Sequence, residues 1–205
     1  CRFQCEFCSI SRFYERTYRA RPIADVVADI RSVRRRNVFF VDDNICVDRE
    51  RTRELLVALI PLRIRWIGQV SLDVARDGHL LALMRRSGCI GVLIGFESLQ
   101  PASLAAMGKG VNRDPAEYGE ALARLRRHGL AVYATFVFGY DDDRLESFEQ
   151  TLAFALKHRF FFMAFNHLVP FPGTPLYRRL AAESRLLHEA WWLSDTYRFG
   201  DVAFQ

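Results

Sequence analysis

Three cysteines near the start of the chain, Cys1, Cys5 and Cys8 in CRFQCEFCSI, have the type and spacing of metal ligands. A C-x3-C-x2-C run lets three thiolates converge on one centre without a long loop. Structural zinc wants four protein ligands, and no fourth cysteine or nearby histidine completes such a set here. A cubane iron–sulfur cluster can instead be held by three thiolates, leaving one iron open to a small molecule, and short cysteine spacings are usual for such clusters. Two plainer readings stay open on spacing alone: three chance thiols in a reduced chain, or half of a zinc site completed by a partner.

The elements that must position these cysteines alternate along the chain. Pro22 opens a helix with Ile23, Val26, Val27, Ile30 and Val33 on one face. VFFVDDN follows as a short apolar run, then a helix through Leu55, Leu56, Leu59 and Ile60 that Pro61 stops. RIRWIGQVSLD, CIGVLIGFES, AVYATFVFGYDDD and RFFFMAFNHLV are the further strands. Between them fall helices over HLLALMRRSG (with Gly88 placed to end it), around Tyr118, Leu122 and Leu125, and through Leu145, Phe148, Leu152 and Ala155. In PFPGTPLY, Thr174 and Pro175 have the types expected at a helix cap and first position. Strand then helix, repeated, predicts an α/β protein: a partial or full (β/α) TIM-type barrel of parallel strands, its first strand upstream of Cys1. A doubly wound open sheet is the alternative.

Each strand carries its polar residues at its C-terminal end: Asp42, Asp43 and Asn44; Gln69, Ser71 and Asp73; Glu97 and Ser98; Gly139 and Tyr140; Asn166 and His167. That edge is where barrels build sites, and the cysteine loop should open on the same edge. The core barrel is expected over 1–185, with 186–205 as a C-terminal extension packed on it through Trp191, Trp192 and Tyr197.

Composition agrees with an ordinary folded domain: 205 residues, 50% hydrophobic, 26% charged, with no apolar run long enough to span a membrane and no signal peptide. Five cysteines, three of them clustered, suit a reducing, cytoplasmic setting better than a disulfide framework. The net charge of +5 rests on 29 basic residues, all but Lys109 and Lys157 being arginine. Arg31, Arg34 and Arg35 of RSVRRR fall on the polar side of the first helix, so they read as a solvated face, not a nucleic-acid site.

With CEFC, FFVDDN, GFES, FVFGYD and PFPGTPLY in this order, nearly the whole chain resembles the radical S-adenosylmethionine (radical SAM) superfamily. More narrowly, it is similar to members that carry a cobalamin-binding domain ahead of the barrel; that domain is expected upstream and is absent from this chain. The resemblance implies that Cys1, Cys5 and Cys8 bind three irons of a [4Fe–4S] cluster and that SAM chelates the fourth. One electron would then cleave SAM to methionine and a 5′-deoxyadenosyl radical that abstracts hydrogen from substrate, the protein's task being positioning and exclusion of water.

The remaining roles follow from the same resemblance. Asp42, Asp43 and Asn44 stand where many members have Gly-Gly-Glu and would accept from the SAM ammonium, unless the trio only forms an Asx-type turn. Glu97 would bond the ribose hydroxyls, the plainer alternative being a salt bridge to an arginine; Gln69 and Ser71 are weaker candidates for that role. Lys109, in GKG, would meet the SAM carboxylate or else be a mobile surface lysine. Phe138, Gly139 and Tyr140, with Phe7, would line the adenine, Gly139 allowing close approach, plain packing being the alternative for Phe7 and Tyr140, and Val169 with Pro170 would form the opposite wall. His167 faces the mouth if its strand is read correctly, a satisfied core histidine being the plainer reading, and Cys46 and Cys89 read as buried thiols.

The implied function is reductive SAM cleavage driving hydrogen abstraction from, and methylation of, a small or lipid-like metabolite, with cobalamin as the candidate methyl carrier. An electron donor such as flavodoxin or ferredoxin would serve it. Two alternatives remain: an RNA-modifying enzyme of the methylthiotransferase type, whose branch shares PFPGTPLY, and a non-enzymatic iron–sulfur or zinc module.

Overall fold

A computed structural model describes residues 3–15, 17–112, 114–198 and 200–205. Five strands, β1 (Asn37–Phe40), β2 (Arg65–Val70), β3 (Cys89–Glu97), β4 (Ala131–Phe138) and β5 (Phe162–His167), form one sheet in the order 1-2-3-4-5. Every neighbouring pair is parallel. A doubly wound sheet must reverse direction at a switch point; this one never does, so the strands form an α/β half-barrel.

Among the described residues, eight α-helices accompany the sheet: α1 (Ser9–Phe13), α2 (Ile23–Val33), α3 (Arg49–Leu59), α4 (Gly78–Arg86), α5 (Pro101–Ala106), α6 (Tyr118–Arg127), α7 (Leu145–His158) and α8 (Pro175–Ala182). The short α1 and α5 were not foreseen, having too few turns to show periodicity. Val33 ends α2 because Arg34 turns left-handed at φ 51°, so Arg34 and Arg35 lie beyond the helix and not on its polar side. Thr174 caps α8 as its type predicts, accepting from the Tyr177 amide at 3.1 Å.

The strands bury one face beneath the helices. Phe40, Trp66, Val70, Ile94, Phe96, Ala134 and Phe136 point there. Trp66 is fully buried, meets Phe40 edge-on and donates its indole N–H to Ser87 at 3.1 Å. Phe96 packs between Tyr118 of α6 and Phe136. The opposite, concave face carries Phe39, Ile67, Leu93, Tyr133 and Phe162 around a cavity of about 540 Å³. Beyond α8, Trp191 is buried with its indole N–H on the Pro170 carbonyl (3.0 Å), and Leu186 and Phe204 form an antiparallel bridge.

Gly88 is forced by this packing. It holds φ 97° after α4, and a Cβ there would meet the Ile64 carbonyl oxygen at 1.9 Å. Gly88→Ala should therefore lose about 3 kcal/mol or more, read as a lower urea midpoint. Gly78→Ala, where a Cβ meets nothing within 4 Å, should be neutral or stabilising by about 0.5 kcal/mol. Equal effects at the two sites would overturn this account.

Candidate active site at the strand ends

The cysteine loop has no regular structure of its own, so neighbouring elements must fix it. Glu6 does most of this. Its amide donates to the Met107 carbonyl (2.9 Å), and its carbonyl accepts from the Leu176 amide at the start of α8 (3.1 Å). Its carboxylate takes a hydrogen bond from Arg179 of α8 at 3.0 Å. Arg12 adds a bond to the Gly173 carbonyl (3.0 Å), and Phe7 packs on the core. Within the loop the Cys8 amide closes a turn on the Cys5 carbonyl (3.1 Å), and Cys8 is the N-cap of α1. Cys5 and Cys8 are free, partly exposed thiols; Cys1, the third expected ligand, lies outside the described residues.

Opposite this loop, β3 ends in a built irregularity. Its register with β4 shifts between Gly95 and Glu97, and Glu97 takes φ 68°. The carbonyls left by the shift are satisfied from within: Asn112 donates to Gly95 (2.8 Å) and Phe96 (3.0 Å), and the Tyr118 hydroxyl donates to Phe96 at 3.2 Å. Gly95 is required because a Cβ there would lie 2.1 Å from the Glu97 carboxylate. Folded over Gly95, that carboxylate pairs with Lys109, both side chains nearly buried. The salt bridge expected as the plainer role of Glu97 thus exists, but to Lys109 and not to an arginine, and Lys109 is no mobile surface residue. Cys5 belongs to the same constellation. Burial pushes its thiol up; the Lys109 cation pulls it down, and Glu97 and Cys8 add to the rise. Metal binding to such a thiol displaces its proton, so paired, partly buried thiols beside a cation fit the donor chemistry of a cluster.

Asn44 and Ser71 spend their side chains on each other. Asn44 accepts from the Cys46 amide (3.0 Å), an Asx turn, and donates to Ser71 (2.9 Å); Ser71 donates to Asp73, which pairs with Arg49. These bonds fasten the ends of β1 and β2, and the Asx turn is the plainer role expected of the Asp42–Asn44 trio. Asp48 is the residue that caps α3. Asp42, Asp43 and Asn44 all line a cavity of about 660 Å³ beside α1, and Gln69 is partly exposed on the concave face.

At the end of β4, Phe138 stacks on Phe148 of α7 (4.2 Å between centroids, 17°). Its side chain is therefore on the helix side, not over an adenine. His167 is its register partner and shares that side, so it does not face the mouth. Gly139 holds φ 119°, close to Leu168, and the Gly139 and Tyr140 amides both donate to Asp143 (2.8 and 3.1 Å). Tyr140 is buried near Glu6 and Cys5; burial first, then Glu6, raises its phenol far above the ordinary range. It packs under the cysteine loop. Val169 is half-buried in the turn after β5, its carbonyl accepting from the Phe171 amide (3.0 Å). Cys46 and Cys89 are core thiols, both pushed up to about 12 by burial. Glu6, Arg179, Asn112 and Asp143 were missed; only Glu6, an anion between two metal ligands, carried any signal.

This geometry has relatives. Residues 1–155 match the Radical SAM superfamily. The chain is 35% identical over 205 residues to the bacteriochlorophyllide d C-12(1)-methyltransferase of Chlorobaculum tepidum, covering 97% of this chain and 44% of the relative. It is 29% identical over 199 residues to the hopanoid C-2 methylase of Rhodopseudomonas palustris, covering 92% and 38%. It thus spans less than half the length of these relatives. Among solved structures, the radical SAM methyltransferase TsrM from Kitasatospora setae, with cobalamin and a [4Fe–4S] cluster bound, superposes with TM-score 0.77 at 18% identity, over 89% of this chain and 35% of that one. The fold, the clamped thiols and a match over most of the length agree: the chain belongs to the Radical SAM superfamily, whose cofactors are SAM and a [4Fe–4S] cluster.

Proposed function

We propose that this chain is the catalytic core of an enzyme that methylates a small lipid-like or tetrapyrrole metabolite, with cobalamin held by a domain outside this chain as methyl carrier. The observation that carries the reading is the cysteine loop clamped at the strand ends beside the Glu97–Lys109 pair. The names of the relatives, methyltransferases of a bacteriochlorophyllide and a hopanoid, support the outcome. The cofactors, when bound, supply one-electron cleavage of the SAM carbon–sulfur bond, and an electron donor such as flavodoxin or ferredoxin would feed them.

The chain's own residues bind and orient. Cys5 and Cys8, with Cys1, would hold the cluster. Lys109 would meet the SAM carboxylate, and Asp42 and Asp43 its ammonium. Glu97 would accept from the ribose hydroxyls, Gly139 would let the backbone approach the adenine, and Val169 would bound it. A buried carboxylate needs a partner, and Lys109 supplies it while leaving Glu97 oxygen lone pairs able to accept. The buried Tyr140 and Phe7 would back the cysteine loop and exclude water.

Anaerobic reconstitution should load about four irons and, on reduction with SAM, release 5′-deoxyadenosine. Cys5→Ala and Cys8→Ala should abolish both. Zinc binding without iron or sulfide would sink the assignment.

Lys109→Met strands a buried carboxylate and should cost about 3 kcal/mol and at least about tenfold in SAM affinity by equilibrium dialysis. Adding Glu97→Gln should recover part of the stability and none of the affinity. Full recovery of SAM binding in the double variant would show the pair to be purely structural.

A further inference from the structure

The 660 Å³ cavity beside the cysteine loop has two unlike walls. The strand-end wall carries Asp42 and Asp43, given above to the SAM ammonium. The other wall runs from α1 into the segment after it and carries Ile10, Tyr14, Tyr18 and Arg19. The residues given above to SAM do not include that second wall. Its volume falls within the roughly 300–1,000 Å³ of small-molecule pockets, and α1 begins on Cys8 itself, so the wall is continuous with a cluster ligand.

Its side chains are unusual for a solvated surface. Tyr14 is 40% exposed, Tyr18 50%, and Val41, on the rim at the end of β1, 83%. Large apolar groups gathered around a concavity mark a binding surface. Tyrosine rings give such a pocket flat, rigid faces suited to ring-shaped ligands. Arg19 lies over the Tyr14 ring at 4.4 Å and has no carboxylate partner among the described residues. The neighbouring Arg51, by contrast, is spent on the Arg21 carbonyl. A stacked guanidinium with its fork unused is a bidentate partner for a carboxylate. Asp42 and Asp43 nearby would repel a dianion such as a phosphate monoester, which favours a singly charged group.

Resting on the reading above, we infer that this wall recognises the substrate, an apolar ring-bodied molecule bearing a carboxylate, and that Arg19 pairs with that carboxylate. The ring body lies against Tyr14, Tyr18 and Val41. A neutral polycyclic hydrocarbon would leave Arg19 unused.

The test is binding, independent of turnover. Chlorophyllide a, with one free propionate, and its methyl ester serve as probes, read by fluorescence anisotropy on the reconstituted protein without SAM. The acid should bind wild type about tenfold more tightly than the ester, the usual worth of one charge-assisted pair. Arg19→Gln should erase that preference while leaving the ester unchanged. Val41→Trp, at a solvent-exposed position that cannot disturb the core, should weaken both probes by filling the pocket. Retained acid preference in Arg19→Gln, an indifferent Val41→Trp, or failure of both probes to bind would each overturn the inference. Absence of 5′-deoxyadenosine from wild type would instead strike the radical SAM reading and leave the binding result standing, so the two failures are separable.

Discussion

One residue between Cys5 and Cys8 holds this site together. Glu6 is tied through its amide to the loop before Lys109, through its carbonyl to the first turn of α8, and through its carboxylate to Arg179. These three attachments come from segments about 100 and 170 residues away in sequence, and they are what gives the cysteine loop a fixed place. A loop without regular structure cannot satisfy its own amides and carbonyls, so its position is only as definite as the partners that accept them. The PFPGTPLY segment is then explained as structure: Thr174 and Pro175 start α8 at the point where its Leu176 amide reaches the Glu6 carbonyl.

The same logic governs the end of β3. A positive φ at a non-glycine residue costs on the order of 1 kcal/mol or more, and Glu97 tolerates it because the displaced carbonyls are bonded by Asn112 and Tyr118. The distortion turns a carboxylate inward over Gly95 to meet Lys109. An in-register strand would have no such reversal, and the Glu97 carboxylate would not share ground with Cys5. Two irregular segments, each fastened by polar groups from elsewhere, thus meet over a regular sheet.

The regular part was legible and the irregular part was not. Alternating apolar runs and helical periodicity marked the five strands, with barrel against doubly wound sheet left open, and Thr174-Pro175 marked the α8 cap, because these signals are local. The sidedness of strand ends failed. Phe138 was read as lining the adenine and His167 as either mouth-facing or a core histidine; side chains alternate with period two, and burial of Phe136 beneath α7 puts Phe138 on the helix side with it. Asn44 and Ser71 show the limit of residue type: a residue good at ligating is equally good at tying two loops together, and sequence shows no partner. Glu97 and Lys109 were each singled out, but their pairing depends on a register shift that no pattern announces.

The concave face explains why this arrangement has chemical value. Along β3, Leu93 lies two residues below Gly95 on the same side, beside Tyr133 of β4 and Gln69 of β2, and Ile67 lies one step lower opposite Gly91. The polar rim therefore stands on an apolar floor. Coulomb interactions weaken in water and strengthen where water is displaced, so the floor makes the single cation of Lys109 count for more than any arginine on the solvated surface. That contrast also accounts for a lysine in a chain otherwise so rich in arginine. The nearly buried space over Gly95 admits a compact ammonium on a flexible stem, while a planar fork with five donors would bring more N–H groups than Glu97 can accept.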